Sequence, residues 1–342
     1  MDDNLAKETP AWSVALQSSS ATPAPGAETA AVLHADVRGK SDEAVVLLHG
    51  QPGNAAEWNR VAGLLEDRFL VIIPDRPGYG NSDGPATGFA GNAAAVISLL
   101  DRLEVRRALI VGHSWAGGAA IWAAAEHPDR VSGLVLVSSV GPGEHLTWND
   151  RFLAAPVAGE AIAAVADGAL GLLTGSAWVQ SLADSRLPER ARDAYSYLAG
   201  LGGTKNRPWH SFLLEQRHFL RELGELEPLL ERISAVTVVL HGTADRTVEP
   251  EVAVRLAAAI RGADLVLVPG ARHLLPQQYP EDVVSAIRSA ADRSAAGSER
   301  AGSGRGEADS GGAAAASDCR LDGQVAPDGE RGAENPDQTA NH

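Results

Sequence analysis

The sequence predicts an α/β architecture: a mostly parallel central sheet flanked by helices, with a helical cap inserted after the sixth strand. Three observations carry this reading. Short, near-continuous apolar runs rich in β-branched residues recur at 45–48, 69–73, 108–111, 131–137, 236–240 and 265–268, the pattern of parallel strands covered on both faces. Segments of helical pattern lie between them, at 93–103, 117–125 and 252–259 among others, as alternating strand and helix units require. The spacing then breaks once, over 141–235, where Leu-, Ala- and Trp-rich sequence is punctuated by Pro156, Pro188, Pro208 and Pro228. Prolines at such intervals mark helix boundaries, so this stretch reads as the cap. A further strand is expected near 31–37.

The same logic divides the chain. Residues 1–27 are rich in Ala, Ser, Thr and Pro and read as a flexible leader. Residues 28–140 and 236–293 form the two parts of the core, 141–235 the cap, and 294–342, dominated by Ala, Gly, Ser and acids, a disordered acidic tail. Of the 342 residues, 44% are apolar, ample for a buried core.

Charge and cysteine usage exclude several classes. With 29 basic against 44 acidic residues the formal net charge is -15, the wrong sign for a nucleic acid or an anionic membrane surface. The single cysteine, Cys319, permits no intrachain disulfide and no zinc-type cluster. No stretch approaches the roughly 18 consecutive apolar residues of a spanning helix, and the first residues lack a signal-peptide apolar core. The reading is a cytoplasmic protein without membrane insertion.

The sharpest local signal is the string Gly112, His113, Ser114, Trp115, Ala116, which follows a strand and opens a helix. A serine on so sharp a turn needs very small neighbours two residues to either side, because the backbone passes close to itself there. Gly112 and Ala116 meet that need. The turn sets the hydroxyl at a helix N-terminus, where free N–H groups favour developing negative charge, which makes the Trp115 N–H a natural oxyanion donor.

A hydroxyl requires a base, and the base a third group to fix its tautomer and offset its charge. The strand at 236–240 runs on to Asp245, and the strand at 265–268 to His273. Catalytic groups in open parallel sheets gather at the carboxyl ends of the strands, so Ser114, Asp245 and His273 are expected to meet as nucleophile, orienting acid and base. After the strand at 45–48 comes His49, Gly50, Gln51, Pro52, Gly53, a turn able to aim the Gln51 N–H above Ser114 as a second donor. His49 reads as a buried structural hydrogen-bonding group, and His113 as pointing away from the nucleophile.

With these motifs the chain resembles the capped α/β-hydrolase superfamily over about residues 30–292. Pro74 to Ser82 is similar to that family's turn after a strand, and Pro280 to Val283 to the start of its last helix. The resemblance implies the same five roles for Ser114, His273, Asp245, Gln51 and Trp115. The chain departs from the family pattern at Ala116, for the commoner elbow glycine, and at Arg272, where glycine is frequent. Epoxide hydrolases and haloalkane dehalogenases of this family carry an elbow aspartate, and Ser114 argues against both.

The expected chemistry is cleavage of a carboxylic ester through an acyl-enzyme, with thioester, amide or carbon–carbon cleavage, perhydrolysis or lyase activity as alternatives on the same residues, and a non-catalytic ligand receptor as a further one. No metal or organic cofactor is implied. The partner is a small molecule, an apolar acyl or aromatic substrate, with Trp148, Phe152, Trp178, Tyr195, Tyr197, Trp209 and Phe212 available either to line a cap pocket or to pack the cap itself.

Overall fold

The computed structural model describes residues 32–144, 154–174, 178, 181 and 204–308. Seven strands form one sheet: β1 (Ala35–Arg38), β2 (Ala44–Leu48), β3 (Leu70–Pro74), β4 (Ala108–His113), β5 (Val131–Val137), β6 (Val236–Gly242) and β7 (Asp264–Val268). Their order is β1-β3-β2-β4-β5-β6-β7. β1 is antiparallel to β3 and every other pairing is parallel. The chain leaves β2 toward β3 on one side, then continues from β4 toward β7 on the other, so β2 and β4 are neighbours whose onward connections diverge. In sheets of this kind the carboxyl ends of strands whose connections diverge are the usual place for a ligand site.

Strand residues alternate between two apolar layers, as the two-residue period of a pleated strand dictates. Val46, Leu48, Ile110, Leu134, Leu136 and Val239 face one layer. There they meet α2 (Phe89–Arg102) and α3 (Ala116–Glu126). Val45, Leu47, Val111, Val135, Val137 and Leu240 face the other, packing on α1 (Asn59–Gly63) and on the first turns of α9 (Pro280–Ala308).

Between β5 and β6 lie α4 (Pro156–Thr174), α5 (Pro208–Glu222) and the short α6 (Leu226–Leu230). After β6 come α7 (Pro250–Ala259) and α8 (Leu275–Gln278). Among the described residues the inserted helical segment thus follows the fifth strand, not the sixth, since the chain before it supplies only β1 to β5. The cap aromatics Trp148, Phe152, Tyr195 and Tyr197 lie outside the described residues. Trp178 is largely exposed, and Trp209 packs edge-on against Phe212 with ring centroids 5.9 Å apart.

α5 is fastened to the core along one face, since positions three and four apart on a helix lie above one another. The Ser211 hydroxyl donates to the Gly78 carbonyl, Glu215 is buried against Arg76 and Tyr79, and Phe219 meets Phe89 at 6.1 Å. Glu222 accepts the Phe89 N–H at 2.5 Å. That carboxylate satisfies an orphan donor at the start of α2, which is why α2 begins at Phe89 rather than at the expected 93.

β7 departs from the expectation of burial on both faces. Among the described residues it is the edge strand, paired only with β6, and Leu265, Val266 and Leu267 are 37%, 41% and 41% exposed. The last helix runs to Ala308, past residue 294 where the acidic tail was expected to begin; its residues 299–308 belong to a second unit of the chain. Among the described residues no helix is long and apolar enough to cross a membrane.

Phe89 joins three elements: it is fully buried, lies 4.6 Å from the Trp115 ring, and receives Phe219 of α5. Phe89→Ala is expected to cost about 3–5 kcal/mol through lost burial and a residual cavity, read from urea denaturation midpoints.

Candidate active site

β4 ends at His113, and the backbone then turns so sharply that Ser114 takes a φ of 55°, a conformation uncommon for a residue with a side chain. The Ser114 N–H donates to the Val137 carbonyl at 2.9 Å, which ties the turn to the end of β5. The need for a small residue at 112 is direct: a Cβ there would stand 2.6 Å from the Ala116 carbonyl oxygen.

The structure brings Ser114, His273 and Asp245 together. His273 Nε2 is 2.9 Å from Ser114 Oγ, and His273 Nδ1 is 2.8 Å from Asp245 Oδ2. The strand ends supply the placement. The Ser138 N–H bonds the Leu240 carbonyl, the Thr243 N–H the Val268 carbonyl, and the Ala244 N–H the Ala271 carbonyl. Successive strands therefore release their loops side by side. Asp245 Oδ1 is held by the Thr247 and Val248 N–H groups at 2.8 and 3.2 Å.

Burial would raise the Asp245 carboxyl, but hydrogen bonds from His241 and His273 hold it well below the ordinary carboxylate range. It is an anion at neutral pH. His273 lies below its ordinary value near 6.5, chiefly through burial, which Asp245 opposes and the neighbouring His113 reinforces. Its imidazole is therefore neutral and able to accept a proton.

Trp115 follows Ser114 directly, and Gln51 follows Gly50 in the turn after β2. Trp115 immediately precedes α3. The turn after β2 lies directly against Ser114, since a Cβ on Gly50 would be 3.3 Å from the Ser114 Cβ. Among the described residues neither the Gln51 nor the Trp115 main-chain N–H donates to a protein acceptor.

Around this turn are groups that motif reading passes over. Glu57, buried, accepts from the Gly50 N–H at 3.2 Å and from His113 Nδ1 at 2.7 Å. His113 Nε2 lies 3.1 Å from the His273 carbonyl. Both partners of this ring are pure acceptors, so both nitrogens carry protons. Burial opposes that charge, yet Glu57 lifts His113 above its ordinary value. His113 is thus an imidazolium whose two nitrogens are taken by Glu57 and the His273 carbonyl, which ties the His273 loop to β4. His49 is its opposite: burial, aided by Arg76, places it well below the ordinary histidine value. Its Nε2 accepts the Arg76 main-chain N–H at 3.0 Å, leaving Nδ1–H to donate to the Gly50 carbonyl at 2.8 Å. It is the buried hydrogen-bonding group expected.

Arg76 is fully enclosed. Its guanidinium reaches the His49 and Gly50 carbonyls, both at 2.8 Å, and pairs with Glu215. Glu215 also accepts from the Tyr79 hydroxyl at 2.7 Å. Burial works against the guanidinium charge, but Glu215 raises Arg76 above its already high value.

The fold and this constellation define a class, and comparison with known proteins gives it a name. Residues 45–286 match the alpha/beta hydrolase family model, and the chain belongs to that family. An uncharacterized protein of Mycobacterium tuberculosis is 38% identical over 125 residues, 36% of this chain and 37% of the relative, so the match spans little more than a third of that protein's length. A non-heme chloroperoxidase of Streptomyces lividans is 30% identical over 265 residues, 72% of this chain and 91% of the relative. Among solved structures, a thermophilic esterase from Thermogutta terrifontis superposes with a TM-score of 0.61 at 23% identity, over 77% of this chain and 94% of the esterase.

Glu57→Ala leaves a buried imidazolium and the Gly50 N–H unpaired, and is expected to cost about 3–5 kcal/mol. His113 titrates higher folded than unfolded, so its stabilising contribution is complete below its ordinary 6.5 and is lost as pH rises through the raised folded value. The deficit of Glu57→Ala against the parent protein should accordingly be largest below pH 6.5 and narrow at higher pH, in urea titrations run across that range.

Proposed function

We propose that this chain is a serine hydrolase that cleaves a carboxylic ester of a small, apolar acyl or aromatic substrate through an acyl-enzyme. The observation that carries the reading is the unbroken line from Asp245 through His273 to Ser114, with links of 2.8 and 2.9 Å.

In this reading Ser114 Oγ attacks the carbonyl carbon while its proton passes to His273 Nε2. The new C–O bond turns the carbonyl oxygen into an oxyanion, received by the Gln51 and Trp115 N–H groups. Asp245 holds Nδ1–H, keeps Nε2 free as the base, and offsets the imidazolium that forms. Collapse of the tetrahedral species breaks the bond to the alkoxide leaving group, which takes the proton from His273. Water then repeats the sequence on the acyl-enzyme, releasing the carboxylic acid and restoring Ser114. Side chains and water suffice for these steps.

A second reading is favoured by one relative. The Streptomyces lividans chloroperoxidase shares 30% identity over most of its length, and perhydrolysis would use the same residues: a carboxylic acid acylates Ser114 with loss of water, and hydrogen peroxide replaces water in deacylation to give a peracid. Comparing p-nitrophenyl ester turnover with peracid formation from acetate and hydrogen peroxide separates the two readings.

A fluorophosphonate probe should label the parent protein and leave Ser114→Ala unlabelled; labelling that survives removes Ser114 as nucleophile. Asp245→Asn should lower kcat by roughly 10³–10⁴-fold, as loss of the tautomer-fixing acid does in such triads. Because His273 titrates below 6.5, kcat/KM should rise with pH and reach half its plateau below that value. A half-maximum above pH 7 contradicts His273 as the base.

A further inference from the structure

We propose that Arg76 is a positioning residue for both oxyanion donors, held in place by Glu215 of the cap-side helix α5, so that seating of this helix and competence of the oxyanion site are one event. The inference rests on the serine-hydrolase reading above and extends it to two residues outside the triad.

The argument begins with one peptide unit. The Gly50 carbonyl and the Gln51 N–H belong to the same planar, trans peptide and therefore point in opposite directions. Arg76 Nη2 and His49 Nδ1 both hold the Gly50 oxygen, each at 2.8 Å. Fixing that oxygen on the Arg76 side turns the Gln51 N–H the other way, away from the guanidinium. A cation on the carbonyl also polarises the peptide, strengthening its N–H as a donor to an anion. The second donor is reached through packing: the Arg76 guanidinium carbon lies 4.7 Å from the centre of the Trp115 ring, within cation–π range.

The guanidinium has no freedom left. Nε is on the His49 carbonyl, Nη1 on Glu215 and, at 3.4 Å, on Asn92 Oδ1, and Nη2 on Gly50 and, at 3.3 Å, on Glu215. Glu215 is fully buried and supplies the carboxylate that a cation enclosed at this depth requires. It is carried on α5, whose Ser211, Phe219 and Glu222 dock beside it. A change in the seating of α5 therefore reaches Arg76 first and the Gly50–Gln51 peptide next.

Two variants test this with p-nitrophenyl ester as substrate and a trifluoromethyl ketone as reversible transition-state analogue. Arg76→Lys keeps a cation for Glu215 but lacks the planar fork that meets the two carbonyls and the carboxylate together. Its kcat should fall about 10- to 100-fold, the scale of a misplaced oxyanion donor, with KM within about threefold. Affinity for the trifluoromethyl ketone should fall by the same factor as kcat/KM. The double variant Arg76→Met with Glu215→Leu leaves neither charge buried alone, so it should be more thermally stable than either single exchange without recovering kcat.

Parent-like kcat and ketone affinity in either variant overturn the proposal, as does a loss of turnover in which ketone and substrate affinities weaken equally. Ser114→Ala distinguishes the deeper failure: turnover that survives in it sinks the serine-hydrolase reading itself, whereas a dead Ser114→Ala beside active Arg76 variants sinks the positioning role alone.

Discussion

Two buried charges of opposite sign, Glu57 and Arg76, grip the Gly50 residue from its two ends: the carboxylate takes its N–H and the guanidinium its carbonyl. A turn whose Gln51 N–H meets no acceptor among the described residues is not braced by the regular ladder of a sheet, which would consume that donor. It is braced by side chains instead. Burial makes each grip strong and its loss costly, since an unpaired charge in this interior carries the full desolvation penalty. Each charge is accordingly matched, Glu57 by the His113 imidazolium and Arg76 by Glu215.

The same pairings set the proton inventory around Ser114. Three histidines here hold two states. His49 is neutral because its Nε2 must accept an N–H in a buried site beside Arg76. His113 is charged because both of its partners are acceptors. His273 is neutral, with burial and the His113 charge outweighing the pull of Asp245. The ring centroids of His113 and His273 are 5.1 Å apart, and a fixed cation at that distance disfavours a second one. Glu57 therefore acts on His273 in two opposed ways: its own charge raises the imidazole, and the His113 cation it sustains lowers it.

Much of this was legible in the sequence where local backbone demands were strong. The apolar runs announced six strands, and Ser114, Asp245 and His273 each followed one of them closely, so chain order and strand ends sufficed to place them together. The Gly112 requirement was readable because a tight turn tolerates nothing larger. Glu57, Arg76 and Glu215 were not legible as a group, since a charge inside a helix or loop reads as a solvated position until its partner is known, and Glu215 lies far along the chain from Arg76. One signal was present: Ser211, Glu215, Phe219 and Glu222 share a helix face, a mixture that fits neither an apolar stripe nor a solvent face. The exposure of β7 had no such signal, because an edge strand and an interior strand carry the same apolar run.

The contact between α5 and the core shows why stability alone does not account for these charges. Apolar groups of similar volume would close the space around Arg76 at comparable or lower free energy, because a buried ion pair recovers through attraction roughly what desolvation costs. What apolar groups cannot do is satisfy the His49 and Gly50 carbonyls. Both residues are buried just beyond the end of β2, and Arg76 meets both carbonyls while still answering Glu215. The need for an irregular, correctly turned backbone beside Ser114 thus comes first. The arginine follows from that backbone, the glutamate from the arginine, and the docking of a cap-side helix from the glutamate.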